Sequence, residues 1–194
     1  LAMRWRDDLV ELDRRTIRIP VNAEGGFHAG IAGLHKVTPA RTVEDLERYA
    51  RRLQQVPRWF REHIAWMRQG MAEGYMPPRI ILEGMETTMQ VVMPDPEASL
   101  FWEPVTRLPR TVPDSARARV RTLVARAIAD SVSRAYGQLF RFFTEEYRPK
   151  ARATLAARAL PDGEAFYRQQ VRHFTTLPLE PDSVHALGLR EVAR

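Results

Sequence analysis

From residue 42 onward, apolar residues recur mostly in steps of three and four, the spacing of helices with one buried face. Thr42 opens a Thr-x-x-Asp variant of the capping box, and Leu46, Tyr49, Ala50 and Leu53 then fall on one side. Pro57 suits the first turn of a second helix, in which Phe60, His63, Ile64, Met67 and Met71 repeat before Gly74 stops it. Pro77-Pro78 opens a third helix that the pattern carries to about Val92, with Ile81, Leu82, Met85 and Met89 inside. Five prolines in 93–113 exclude regular helix there; this stretch reads as an extended connection pinned by Phe101, Trp102 and Leu108.

Asp114 can cap a long helix that reaches Tyr147. Its apolar positions Val120, Val124, Ile128, Val132, Tyr136 and Phe140 advance in fours. Each such step turns the stripe by about 40° on an α-helix, so the two halves should face different neighbours, or the helix should bend near Gly137. Leu160-Pro161-Asp162-Gly163 is a turn, and a helix with Phe166, Tyr167 and Val171 ends at Thr175-Thr176-Leu177-Pro178. Pro181 starts a last helix that runs to Arg194.

The N-terminal part departs from this rhythm. Residues 1–13 read as the tail of an amphipathic helix. Thr16–Pro20 alternates like a short strand, and 21–41, with four glycines, reads as a long loop or pair of turns. The expectation is an all-α, multi-helix array with one long central helix, long Gly/Pro-rich loops and at most one short strand. All 194 residues form a single helical region. Leu1-Ala2-Met3 does not resemble a natural start, and the last helix meets no stop signal, so the sequence reads as a piece of something longer.

Composition narrows the chemistry. There is no cysteine, hence no disulfide framework, thiolate zinc site or cysteine nucleophile. No apolar run approaches the ~18–20 residues of a transmembrane helix. The formal net charge is +6, with Lys only at Lys36 and Lys150 among 30 basic residues. Arg134, Arg141 and Arg148 repeat every seven residues, but acidic residues are interspersed throughout, so the pattern reads as a solvated helix face rather than a nucleic-acid surface.

The candidate residues each admit two readings. His28, in the glycine-rich stretch, either lines a cleft or orders its loop. Arg79 either binds a substrate carboxylate through its planar fork or pairs with Glu83. Tyr167, His173, Thr175 and His185 gather late in the sequence. They either present hydrogen-bond donors to a substrate or serve packing and helix ends. The pairs Asp7-Asp8 and Glu145-Glu146 point to different helix faces and read as solvated.

An ordered series of segments then suggests a relationship: Gly25-Gly26-Phe27-His28, Thr42–Leu46, Gly70–Gly74 leading to Pro78-Arg79, Glu146–Pro149, Leu160–Glu164 with Tyr167, Thr175-Thr176, and Ser183–Leu189. Over roughly residues 15–194 it resembles the bacterial domain-of-unknown-function 885 family. The resemblance implies a largely helical, zincin-type metallopeptidase, in some members exported as a lipoprotein. Its His-Glu-x-x-His motif lies downstream of the segment seen here. In that motif two histidines one turn apart hold zinc and the glutamate acts on bound water. His28, His35, His63, His173 and His185 are all followed by residues other than Glu, so no catalytic residue and no metal ligand carries over. The resemblance thus implies no cofactor in residues 1–194, zinc only in a full-length member, and a downstream catalytic part as partner. Two apolar surfaces should then lack cover, one on the final helix and one where Leu139, Phe140, Phe143 and Tyr147 meet, with homodimerisation as a way to bury them.

Overall fold

The structure, a computed structural model, describes residues 18–22, 25–90 and 95–194. Its frame is two long helices packed along each other. The first, α3, spans Val43–Glu73, after the short α1 (Phe27–Ala32) and α2 (Leu34–Val37). Thr42 accepts from the Asp45 N–H at 3.1 Å while the Asp45 carboxylate accepts from the Thr42 N–H at 3.1 Å, so the anticipated capping box is formed. At the other end Gly74 takes φ 82°, a left-handed C-terminal stop that favours glycine.

Pro57 does not begin a new helix; α3 runs straight through it. A proline there forfeits one hydrogen bond and crowds the carbonyl four residues back. Burial on both sides outweighs that local cost, because Leu53, Val56, Phe60 and Met67 are almost fully enclosed.

The second long helix is composite. It consists of α5 (Asp114–Ala127), a π-helical turn at Ile128–Ser133, α6 (Arg134–Arg141) and a second π-helical turn at Phe142–Tyr147. A short α4 (Glu103–Thr106) precedes it. Asp114 lies inside the first turn, with Pro113 at the cap position. The stripe in steps of four does not part company with its partner, contrary to the sequence expectation. Wide turns bonded i to i+5 take up the drift that an α-helix would accumulate. The Ser133 hydroxyl donates to Ile128 O, five residues back, at 3.1 Å. Val120, Val124, Ile128, Val132 and Tyr136 therefore all stay buried, and every segment of the composite helix packs on α3.

Three other expectations are corrected. Residues 21–41 are not a loop: strands β1 (Val21–Asn22) and β2 (Gly25–Gly26) pair antiparallel, and α1 and α2 follow. Ile19 and Pro20 are not in a strand; residues 1–17, including the 1–13 helix, lie outside the described residues. The Pro77–Val92 helix is replaced by two 3-10 turns, Arg79–Leu82 and Met85–Met89, separated by Gly84 at φ 77°; residues 91–94 are outside the described set. Between 95 and 113 the backbone coils through further 3-10 turns and α4, and Phe101, Trp102 and Leu108 anchor it as expected.

The fold ends in a helical hairpin, α7 (Gly163–Thr175) and α8 (Pro181–Val192). Its hinge to the body is tight. Gly163 sits so close to the Ala157–Ala159 turn that a Cβ there would lie 2.1 Å from Ala157 O. The all-α class holds, with one two-stranded ribbon of four residues among the described residues.

Candidate functional site

The sequence candidates do not converge on one centre. His28 is fully buried in the body, where α1, the Met85–Met89 turn and the composite helix meet. Its Nε2 lies 2.8 Å from the Thr88 hydroxyl, which itself donates to Met85 O at 2.6 Å. Nε2 is therefore the protonated nitrogen and Thr88 the acceptor. The backbone carbonyl of His28 accepts from the Tyr136 hydroxyl at 2.7 Å. Nδ1 is buried without a hydrogen-bond partner. Burial holds the His28 pKa below that of an ordinary histidine. His28 is thus a structural node tying three elements together, not a cleft residue.

The sequence places His63 simply on the apolar face of α3, and in the structure it centres an aromatic cluster. Its ring stacks on Phe27 at 4.2 Å and 17°, and Trp59 and Trp66 lie 4.2 and 4.9 Å away. Burial lowers its pKa, while its hydrogen bond to Trp59 O and the nearby Glu62 charge oppose that. The spacing Trp59, His63, Trp66 is a visible signal for this face.

Arg79 is exposed on its 3-10 turn, its backbone N–H donating to Arg152 O at 2.8 Å; no Arg79–Glu83 ion pair forms among the described residues. Glu146 is not simply solvated, since its carboxylate receives two hydrogen bonds from Arg68, at 2.6 and 3.0 Å, joining the two long helices. Arg134 and Arg148 of the basic repeat are paired with Asp130 and Glu86.

The late candidates lie on the terminal hairpin. Thr175 finishes α7: its hydroxyl donates to Val171 O at 2.7 Å and accepts from the Leu177 N–H at 3.2 Å. His173, set edge-on against Phe174, and His185 are exposed. Tyr167 borders a concavity. This groove of about 900 Å³ lies between α7, the start of α8 and the Leu155–Arg158 stretch. Arg168 crosses it, donating to Glu180 at 2.9 Å and to Glu164 at 3.1 Å. No group of three or more His, Asp or Glu side chains among the described residues is arranged to hold a metal ion.

The hairpin is also where apolar surface is uncovered. Phe174 is 79% exposed, Leu189 61% and Val192 89%, and α8 buries no residue. The expectation for the final helix is met in this respect. The other predicted bare surface is not: Leu139, Phe143 and Tyr147 are buried, and Phe140 packs against the core. The wide turns hold this end of the helix on α3 and the Met85–Met89 turn.

The two-helix frame and terminal hairpin place the protein in the all-α class. The protein belongs to the family described as "Bacterial protein of unknown function (DUF885)", whose model matches residues 2–194. Among solved structures it is similar to the "putative lipoprotein from Colwellia psychrerythraea", with a TM-score of 0.78 and 22% identity over 90% of its own length. The likeness shows the shared fold; the match spans 30% of the length of that lipoprotein. No curated protein matches it significantly. Among the described residues no helix is long and apolar enough to cross a membrane.

Proposed function

We propose that residues 1–194 are the helical portion of a zinc-dependent peptidase or related hydrolase. On this reading the His-Glu-x-x-His centre belongs to a further part of the protein, and residues 1–194 alone are inactive. The observation that carries the reading is the bare apolar surface of the α7–α8 hairpin, where α8 buries no residue, alongside a structural relative about three times as long. Phe174, Leu187, Leu189 and Val192 in solvent are costly at about 25 cal/mol per Å² of apolar area, and packed neighbours remove that cost. The Tyr167 groove opens between the starts of the same two helices, so a neighbour packed on the hairpin would close over it and bring Tyr167 towards a bound peptide. His173, Thr175 and His185 sit on the same hairpin and would border such an interface.

The test is hydrolysis of a mixed peptide library, with zinc supplied, by residues 1–194 and by a polypeptide extended to the length of the relative. The extended protein should cleave and lose activity to a chelator, while residues 1–194 should not cleave. Cleavage by residues 1–194 alone, or none by an extended and folded protein with zinc bound, refutes the reading. The same bare surface supports a second reading, a self-associating module without catalysis. That predicts a stable dimer of residues 1–194, together with an extended protein that never cleaves.

A further inference from the structure

A half-open apolar cavity of about 250 Å³, separate from the Tyr167 groove, reaches from β1 to Phe166 near the start of α7. Three separate stretches build it. Val21 comes from β1, Tyr75, Met76 and Ile81 from the segment leaving α3, and Leu160 and Phe166 from the entry to α7. The volume falls below the ~300–1,000 Å³ of drug-sized sites, which limits an occupant to one aromatic ring or a short acyl group.

Among the described residues one charged side chain lines this cavity, that of Arg152. It clasps its own loop. Nε donates to Met76 O at 2.9 Å, and Nη1 donates to the carbonyls of Thr154 and Ala156. Nη2 makes one long contact, 3.4 Å to Leu155 O. A guanidinium carries five N–H donors, so at least one on Nη2 is left over. All the main-chain partners are neutral carbonyls, as they are for Arg107 and Arg117, whereas Arg18, Arg68, Arg121, Arg148 and Arg168 each meet a carboxylate. Of Arg107, Arg117 and Arg152, it is Arg152 that lines the apolar cavity. A partly buried cation with no counter-ion among the described residues, beside an apolar cavity, is complementary to an apolar group that ends in a carboxylate.

We infer that this cavity binds a small apolar monocarboxylate, its ring or alkyl tail between Ile81 and Phe166 and its carboxylate on Arg152 Nη2. The inference is independent of the peptidase reading. Because Phe166 belongs to α7 and Val21 to β1, an occupied cavity also fastens the terminal hairpin to the body.

The experiment is calorimetric titration of residues 1–194 with 3-phenylpropanoate, 3-phenylpropanol and the peptide Ala-Ala-Phe. The acid should bind at least tenfold more tightly than the alcohol. The peptide arm separates two sources of the same chemistry, a free acid or the carboxyl end of a peptide, and the tighter of the two identifies the source. Arg152→Met removes the charge but can loosen the 152–156 loop, so Ile81→Trp serves as a second variant that fills the cavity from its half-exposed rim. It should abolish binding while the helical circular dichroism is unchanged. Equal affinity for acid and alcohol, no binding of any carboxylate, or full binding by a folded Ile81→Trp protein overturns the inference.

Discussion

Replacing Gly163 by alanine tests how the terminal hairpin is held. Gly163 is the first residue of α7 and is buried against the Ala157–Ala159 turn. A methyl group at this position would stand 2.1 Å from Ala157 O and 2.8 Å from both Cα and C of Arg158. Real Cβ contacts essentially never fall below 3.0 Å, so the turn and the helix must separate by about 1 Å. All three obstacles are backbone atoms, and no side-chain rotation relieves them. Overpacking that forces backbone movement costs about 1–3 kcal/mol, and here the upper part of that range is expected. The loss should be local, because the core of α3 and the composite helix lies elsewhere. Limited proteolysis should therefore cut Gly163→Ala protein within 155–163 much faster than the parent, while a core of roughly residues 18–150 stays protected. Hydrogen exchange should show the same division. Unchanged proteolysis and exchange would refute the claim that this contact fixes the hairpin.

Pro57→Ala should raise stability by about 2 kcal/mol in denaturant melts, since an interior proline costs ~3 kcal/mol and its benefit through the unfolded state is under ~1; a loss would show that the helix depends on the proline. Burial lowers the pKa of both His28 and His63, so the unfolded state binds more protons once the pH falls below the ordinary value of ~6.5. Stability should hold above that pH and decline below it, until the lowered native values are passed. His28→Gln should flatten part of this decline, and an unchanged pH profile would sink the assignment. Tyr136→Phe removes a donor from the buried His28 carbonyl and should cost about 1–3 kcal/mol. Glu146→Gln, at an exposed pair with Arg68, should cost under ~1 kcal/mol and less at high salt.

The helical elements most legible in the sequence are those with local punctuation. The Thr42–Asp45 box, Gly74, the 160–163 turn and Pro181 each mark a boundary through backbone chemistry of a few neighbouring residues. What is not legible depends on distant packing. Pro57 looks like a helix start until Phe60 and Met67 are seen buried against the composite helix. The Phe27–Ala32 helix has no periodic stripe; it forms because Phe27 stacks on His63 and His28 is engulfed. Among the candidates, Tyr167 borders a groove, whereas His28 serves the core and Thr175 a helix end. Arg152 does not stand out in the sequence, although it lies among small and apolar residues with no acid between 147 and 157, which is the signal that a guanidinium must find other company.

The wide turns in the composite helix also govern which insertions and deletions the fold can absorb. Over Val120 to Phe140, five steps of four would carry the stripe some 200° around a uniform α-helix, to the far side. Deleting one residue within Ile128–Ser133 and closing the wide turn to ordinary pitch removes the excess residue that the turn accommodates, so the segment beyond keeps its face. Tyr136, Leu139 and Phe143 would then stay against α3, whereas the same deletion within the regular α5 would swing them away together by about 100°. A single-residue deletion at the exposed Asp130 should thus lower the melting temperature far less than one at the likewise exposed Arg126 of α5.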